Sequence, residues 1–361
     1  AEIDIIFDSW SGDFSAISPT SSSERSMRMG WLCFDVGNGD SKSSALAGET
    51  TINMPSGLSE LGRPWDTQVM SGPSITLIGP GAIGAALAAG LVEAGHDPTL
   101  VTRTPFDRLR VEWPLGSIDV EVNCVATVEA IEPADVVIVA TKATQNAAVL
   151  EHVRAAVRPD SVLLIAQNGV DHLDRFAVES DIIPAIVMLP SERTAPGQAQ
   201  VGSPSRLVIP DGPASATVQS IFEGSFIDVE LTADWTSAAW LKLMMNAAVG
   251  GIGVLTGRGS DVFRDSDALS LLEALMEEVA TVGRAEGAVL PDELPSQLRR
   301  YQEKNAGGHT TSIVVDRLAG QSTEWRERNQ VVVDAASRHG IDVPLNTTVA
   351  TLMRLGEPRP A

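Results

Sequence analysis

A chain of 361 residues exceeds one ordinary domain and fits two, and 43% hydrophobic with 20% charged residues is an ordinary globular composition. A formal net charge of −21 repels phosphate backbones and anionic membrane surfaces, and an aromatic share of 4% leaves little for base stacking. Nucleic acid and membrane are therefore excluded as partners in favour of a small molecule, and two cysteines without zinc-ligand neighbours, Cys33 and Cys124, exclude a metal site and point to a reduced, cytoplasmic setting.

Residues 1–69 are rich in Ser, Gly, Asp and Thr and have no sustained helical or strand period, a linker-like or foreign composition. Met70 precedes the first convincing strand and reads as a natural start, with residues 1–69 an appended, poorly ordered leader. The alternative is a small appended domain built on Trp10, Trp31 and Phe34. The amino terminus opens on acidic residues, unlike the basic and then apolar segment of a secretory signal.

From residue 74 the pattern becomes regular: ITLIG, the helix-like AIGAALAAGLVEAG, PTLVTR, ADVVIVATKA, a polar helix, and SVLLIAQNG. Short apolar strands alternating with helices predict an α/β architecture, a Rossmann-type doubly wound parallel sheet over residues 70–233. Further strands are expected at 185–188, 206–209 and 226–230. GPGAIG follows the first strand directly and opens a helix, so Gly79, Pro80, Gly81, Ala82, Ile83 and Gly84 form a candidate pyrophosphate loop. Gly79 permits the turn, Gly81 the approach of backbone to phosphate, and Gly84 the close packing of helix on strand. Pro80 removes one N–H donor from that loop.

At the end of the second strand, where a site for NAD carries an acidic residue, stands Arg103. A guanidinium fork suits a 2′-phosphate, so NADPH is the expected cofactor, with Thr102 and Thr104 as auxiliary donors; the plain alternative is a surface arginine. Lys142 and Asn168 follow later strands on the edge of the sheet that faces a ligand, and either contacts cofactor or substrate; Asn168-Gly169 is equally an ordinary turn signal.

After Asp234 the strand pattern stops, and helical periodicity with breaks near Gly257, Pro291, Gly307 and Gly340 predicts an all-helical domain over 234–361. The apolar stretch 238–255 has nearly the length of a membrane span but contains Lys242, Asn246 and several glycines, and reads as a buried helix. Lys242 and Asn246 lie four residues apart, on one helical face among apolar neighbours. Such groups need partners, either a polar site or a structural salt bridge.

Taken in order, the glycine loop, ATKATQ, AQNG, ERTAPG (192–197), WLKLMMN, TTSIVVDRLAGQSTE (310–324) and HGIDVPLN (339–346) resemble the ketopantoate reductase family across residues 74–355. The resemblance implies NADPH-dependent reduction of 2-dehydropantoate to pantoate, a step of pantothenate biosynthesis. It matches Lys242 to the catalytic lysine, Glu324 to a glutamate of the substrate site, and Asn168, Asn246, Thr311 and Ser312 to positions that contact cofactor or substrate. Lys242 is then the general acid, Glu324 orients it or binds a substrate hydroxyl, and Ser312 holds the carboxylate. Read alone, Glu324 is also a helix-start residue behind Ser322 and Thr323. Gly250-Gly251 stands where the family pattern has Asn-Pro, and Asn329-Gln330 where it has Asn-Gly. These departures keep open a relative acting on another 2-oxo acid, including a D-2-hydroxy acid dehydrogenase. A catalytically silent NADPH-binding regulator is the alternative of another class, which retention of Lys242, Asn246 and Glu324 opposes. Monomer and homodimer both remain open.

Overall fold

The computed structural model describes residues 72–307 and 310–358. The expectations for residues 1–69, the Met70 start and Cys33 lie outside the described residues.

The main sheet has six strands, all parallel, in the order β5-β2-β1-β6-β7-β8. They are β1 (Ile75–Ile78), β2 (Thr99–Val101), β5 (Cys124–Val125), β6 (Val136–Val139), β7 (Val162–Ile165) and β8 (Asp181–Pro184). Every residue of β1, β6 and β7 is buried, which is why these strands read as unbroken apolar runs: both faces of a parallel sheet are covered. One face receives α2 (Asn146–Ala156). On the other lies α1 (Ala82–Glu93), which is buried nearly all round because a second sheet packs on its far side. Its small residues make that sandwich possible. A side chain at Gly90 would strike Ile227.

That second sheet runs β10-β11-β3-β4, from β3 (Arg108–Trp113), β4 (Gly116–Glu121), β10 (Ser191–Ala195) and β11 (Gln198–Val201). The third has the order β13-β12-β9, from β9 (Ile186–Met188), β12 (Arg206–Pro210) and β13 (Asp228–Thr232), with α3 (Ser215–Ile221) between β12 and β13 in the chain. The sequence pattern anticipates β9, β12 and β13 and misses β3, β4, β5, β8, β10 and β11. In β3 and β4 the outward positions carry Arg108, Arg110 and Asp119, whose cross-strand contacts are paired charges rather than apolar side chains.

Among the described residues no strand follows β13. Helix α4 (Trp235–Thr256) opens with Asp234 accepting a bond from the Ser237 amide, and closes at Gly257 with φ of 65°. It is long and apolar enough to cross a membrane, yet it is the buried central helix expected from its embedded lysine and asparagine. Around it pack α5 (Ser266–Ala285), α7 (Ser312–Leu318) and α9 (Pro344–Leu355), with α6 (Leu294–Lys304) and α8 (Val331–His339) against α5. Ile186, Met188 and Val208 from the third sheet join the core of the helical region, so α4 is anchored directly beside the parallel sheet.

Between Trp325 and Val331 the helix widens into a π turn, Arg326–Gln330, before α8 continues it. Such turns accommodate one extra residue and re-aim the side chains ahead of it. Here two consecutive polar residues, Arg328 and Asn329, are buried at 3% and 0% exposure.

Candidate active site

The glycine loop has the shape its sequence implies. Gly79 adopts φ of 89°, open to glycine and strained for other residues, and any side chain there would collide with Thr141 at the end of β6. A side chain at Gly84 would collide with the carbonyl of Gly79, so the helix rests directly on the turn. At Gly81 a Cβ would meet nothing within 4 Å: the backbone is open to an approaching ligand. Helix α1 begins with no side-chain cap and no acidic residue in its first turn, leaving its leading N–H groups, from Ala82 to Gly84, for an anion. These features fit a dinucleotide pyrophosphate. Arg103 is exposed just beyond β2, next to a turn in which the Thr104 amide donates to Thr102 Oγ1 at 3.4 Å.

The ends of β6 and β7 lie beside the loop. Gln167, 5% exposed, clamps them: its amide donates to the Thr141 carbonyl at 2.9 Å and to Asn146 Oδ1 at 2.7 Å. Arg175 braces the same corner, donating to Gln167 Oε1 at 3.0 Å and to the Asn168 carbonyl at 2.5 Å. His172 Nε2 donates to the Gln167 carbonyl at 2.8 Å, and burial together with the Arg175 charge lowers its pKa to about 4, so it serves as a neutral strut.

Asn168 is thereby aimed at the helical region, where its amide donates to Glu324 Oε2 at 2.7 Å. Glu324 is buried, and its Oε1 accepts from the Ala143 amide at 3.2 Å. Although it precedes a helix in sequence, its hydrogen bonds with Ala143 and Asn168 reach across to the strand ends. Asn246 donates to Asn168 Oδ1 at 3.3 Å, linking α4 to the same pair.

Lys242 and Asn246 line one narrow cavity with Gln167, Asn168, Gly169 and Ile186. Burial, and then the nearby Arg328 guanidinium, lower the Lys242 pKa from the usual 10.5 to about 8. Lys142 sits beside this cluster and pairs with Asp316 of α7 at 2.5 Å, a second tie between sheet and helices. At the start of α7, Ser312 Oγ accepts from Arg328 Nη2 at 3.2 Å, and Thr311 Oγ1 is buried without a hydrogen-bond partner among the described residues.

Lys242, Asn246, Asn168 and Glu324 therefore converge, the glycine loop and Lys142 adjoin them, and Ser312 joins through Arg328. Gln167, Arg175, Asp316 and Arg328 belong to this corner and escaped the sequence reading. Arg328 sits in the charged run WRERNQ, which reads as a solvated helix turn until the π geometry turns it inward. The two departures noted in the sequence also separate. Gln330 bonds Asp334 on its own helix, whereas Gly250 packs beneath Arg328, with a Cβ there lying 3.1 Å from Nη1 and 3.2 Å from Ile313 Cγ2.

The family model described as Ketopantoate reductase PanE/ApbA matches residues 75–214, and its partner, Ketopantoate reductase PanE/ApbA C terminal, matches 234–357. The chain is similar to the 2-dehydropantoate 2-reductase of Caulobacter vibrioides, 35% identical over 284 residues, which cover 78% of this chain and 98% of the relative. It is also similar to the 2-dehydropantoate 2-reductase of Mycobacterium tuberculosis, 34% identical over 284 residues, covering 77% and 96% respectively. Among solved structures, a PanE/ApbA family ketopantoate reductase from Ralstonia eutropha JMP134 superposes with a TM-score of 0.73 at 26% identity, over 78% of this chain and 98% of the other.

Proposed function

This chain belongs to the ketopantoate reductase family of oxidoreductases, and from that premise we propose that it reduces a small 2-oxo acid to the 2-hydroxy acid with NADPH, Lys242 acting as the general acid. The observation that carries the reading is the Lys242 ammonium, its pKa lowered to about 8, in one cavity with Asn168 and Asn246 at the strand ends beside the glycine loop.

A bound nicotinamide would supply a hydride to the carbonyl carbon. Negative charge then develops on the carbonyl oxygen, where a positioned ammonium stabilises it and delivers the proton. A lysine tuned to about 8 holds its proton at neutral pH and gives it up more readily than one at 10.5. Asn246, one helical turn along α4, donates toward the same space, and Asn168 is fixed by Glu324 and Arg175 so that the cleft stays in register. Gly79 to Gly84 would hold the pyrophosphate, and Arg103 would read the 2′-phosphate.

The acid named for the curated relatives, 2-dehydropantoate, is the first substrate of this reading. Gly250 keeps a second reading in view, a reductase of the same family acting on another 2-oxo acid. NADPH oxidation measured against a panel of 2-oxo acids, 2-dehydropantoate included, tests both. Turnover of any panel member supports the reading, the fastest names the substrate, and no oxidation with any of them overturns it.

A further inference from the structure

Arg328 is a buried cation with almost nothing to pair with. Its Nη2 donates to the neutral hydroxyl of Ser312, and its Nε is buried without a hydrogen-bond partner among the described residues. Glu324, Asp316 and Glu327 are near enough to offset part of the cost of burying it. Each is directed elsewhere: Glu324 receives Ala143 and Asn168, Asp316 receives Lys142, and Glu327 Oε2 is itself buried and unbonded. A guanidinium withdrawn from water and left with one neutral acceptor is costly unless an anion completes it. Its planar fork matches a carboxylate, the anion of a 2-oxo acid, through two parallel hydrogen bonds.

The backbone makes room for this group. With a Cβ at 250 only 3.1 Å from Nη1, any side chain there would push the guanidinium aside. The location is also right for a 2-oxo acid. Arg328 is close enough to Lys242 to lower its pKa, so an anion seated on the guanidinium stands near the ammonium. In a 2-oxo acid the carboxylate is one bond from the carbonyl that the ammonium would protonate.

We propose that Arg328, completed by Ser312 and seated on Gly250, is the carboxylate receptor of this site and sets its preference for an anionic 2-oxo acid over a neutral carbonyl compound of the same shape. This rests on the 2-oxo acid reading above and adds the residue that selects the class.

The test compares the best 2-oxo acid of the panel with its primary amide, in the full chain at saturating NADPH, for the unaltered protein and for Arg328→Gln and Arg328→Lys. The unaltered protein is expected to prefer the acid, and in Arg328→Gln the acid-to-amide ratio of kcat/KM should fall about 10- to 100-fold, through KM rather than kcat. Arg328→Lys, which keeps the charge without the fork, should fall between, and added guanidinium should partly restore the Gln variant. A purely structural role lowers acid and amide together and leaves the ratio unmoved, which overturns the proposal. So does an acid preference below threefold in the unaltered protein, an outcome that stands even where neither variant folds. Calorimetric titration with oxamate in the presence of NADP gives a readout independent of turnover, with binding about 10-fold or more weaker expected in Arg328→Gln. If no acid is reduced but oxamate binding still depends on Arg328, the reductase reading fails and the receptor stands; equal oxamate affinity in both proteins removes the receptor.

Discussion

The side-chain amide of Asn168, at the end of a sheet strand, donates across 2.7 Å to the carboxyl of Glu324, at the threshold of a helix 156 residues further along the chain. With the Ala143 amide on its other oxygen, Glu324 is held by the sheet region on both sides, so the bond fixes Asn168 in the cavity that Lys242 also lines. Glu324→Ala strips two donors of their acceptor and should lower turnover about 10- to 100-fold, the effect of one to three kilocalories lost from positioning. Steady-state rates beside a melting curve check this; full activity in a folded variant would detach Glu324 from the site.

Lys242→Ala should cost about 100-fold or more in kcat with little change in NADPH affinity, because removing a positioned general acid typically costs ~10²–10⁴. Activity within threefold of the parent rejects the role of this lysine.

The pH profile should follow the lysine. With its pKa lowered to about 8, kcat/KM should fall as pH rises through that value, since the acid form disappears. Stability moves the other way. Lysine in the unfolded chain keeps its proton to about 10.5, so between about 8 and 10.5 the unfolded state binds more protons and rising pH favours the fold. The penalty of the buried ammonium is complete below about 8 and gone above 10.5. Denaturant unfolding of Lys242→Met and its parent at pH 7 and pH 10 should therefore show the variant's advantage shrinking at the higher pH; a constant gap would rule out the lowered pKa.

Arg103→Ala should weaken NADPH about 10- to 150-fold and spare NADH, the range for a lost charge-assisted contact to a phosphate. Fluorescence titration of both nucleotides decides, and equal loss for both removes Arg103 from the 2′-phosphate.

Gly84→Ala should be damaging for a steric reason alone, since the added methyl meets the carbonyl of Gly79 and must push α1 off the turn. Overpacking of this kind costs about 1–3 kcal/mol, so a lower melting temperature and weaker nucleotide binding are expected together. Unchanged values for both would mean that helix and turn are not in contact.

The parallel sheet was legible because β1, β6 and β7 are buried on both faces and carry their signal in unbroken apolar runs. The glycine loop, and the pairing of Lys242 with Asn246, rest on local spacing and survive the passage into three dimensions. The charged hairpin of β3 and β4 was not legible, because its exposed positions are stabilised by partners in the neighbouring strand. Nor was the cross-connection of the site. Asn168 to Glu324 and Lys142 to Asp316 join segments whose meeting depends on the docking of sheet and helices, and Arg328 to Gly250 joins two helices far apart in sequence. Arg328 was hidden further by its charged neighbours, and it faces inward from a widened helical turn.

That turn makes residue count, as well as residue identity, a determinant of the cleft. A widened turn absorbs one extra residue within its own winding, so deleting one residue from segment 326–330 would restore the regular helix with its flanks in place and take away one of the inward-facing positions. Asn329, tied to the Ala247 carbonyl and to Asn346, and Arg328, seated on Gly250, hold adjacent places in that widened turn and face different neighbours. A single-residue change in length here reaches arrangements of the cleft that no point substitution samples.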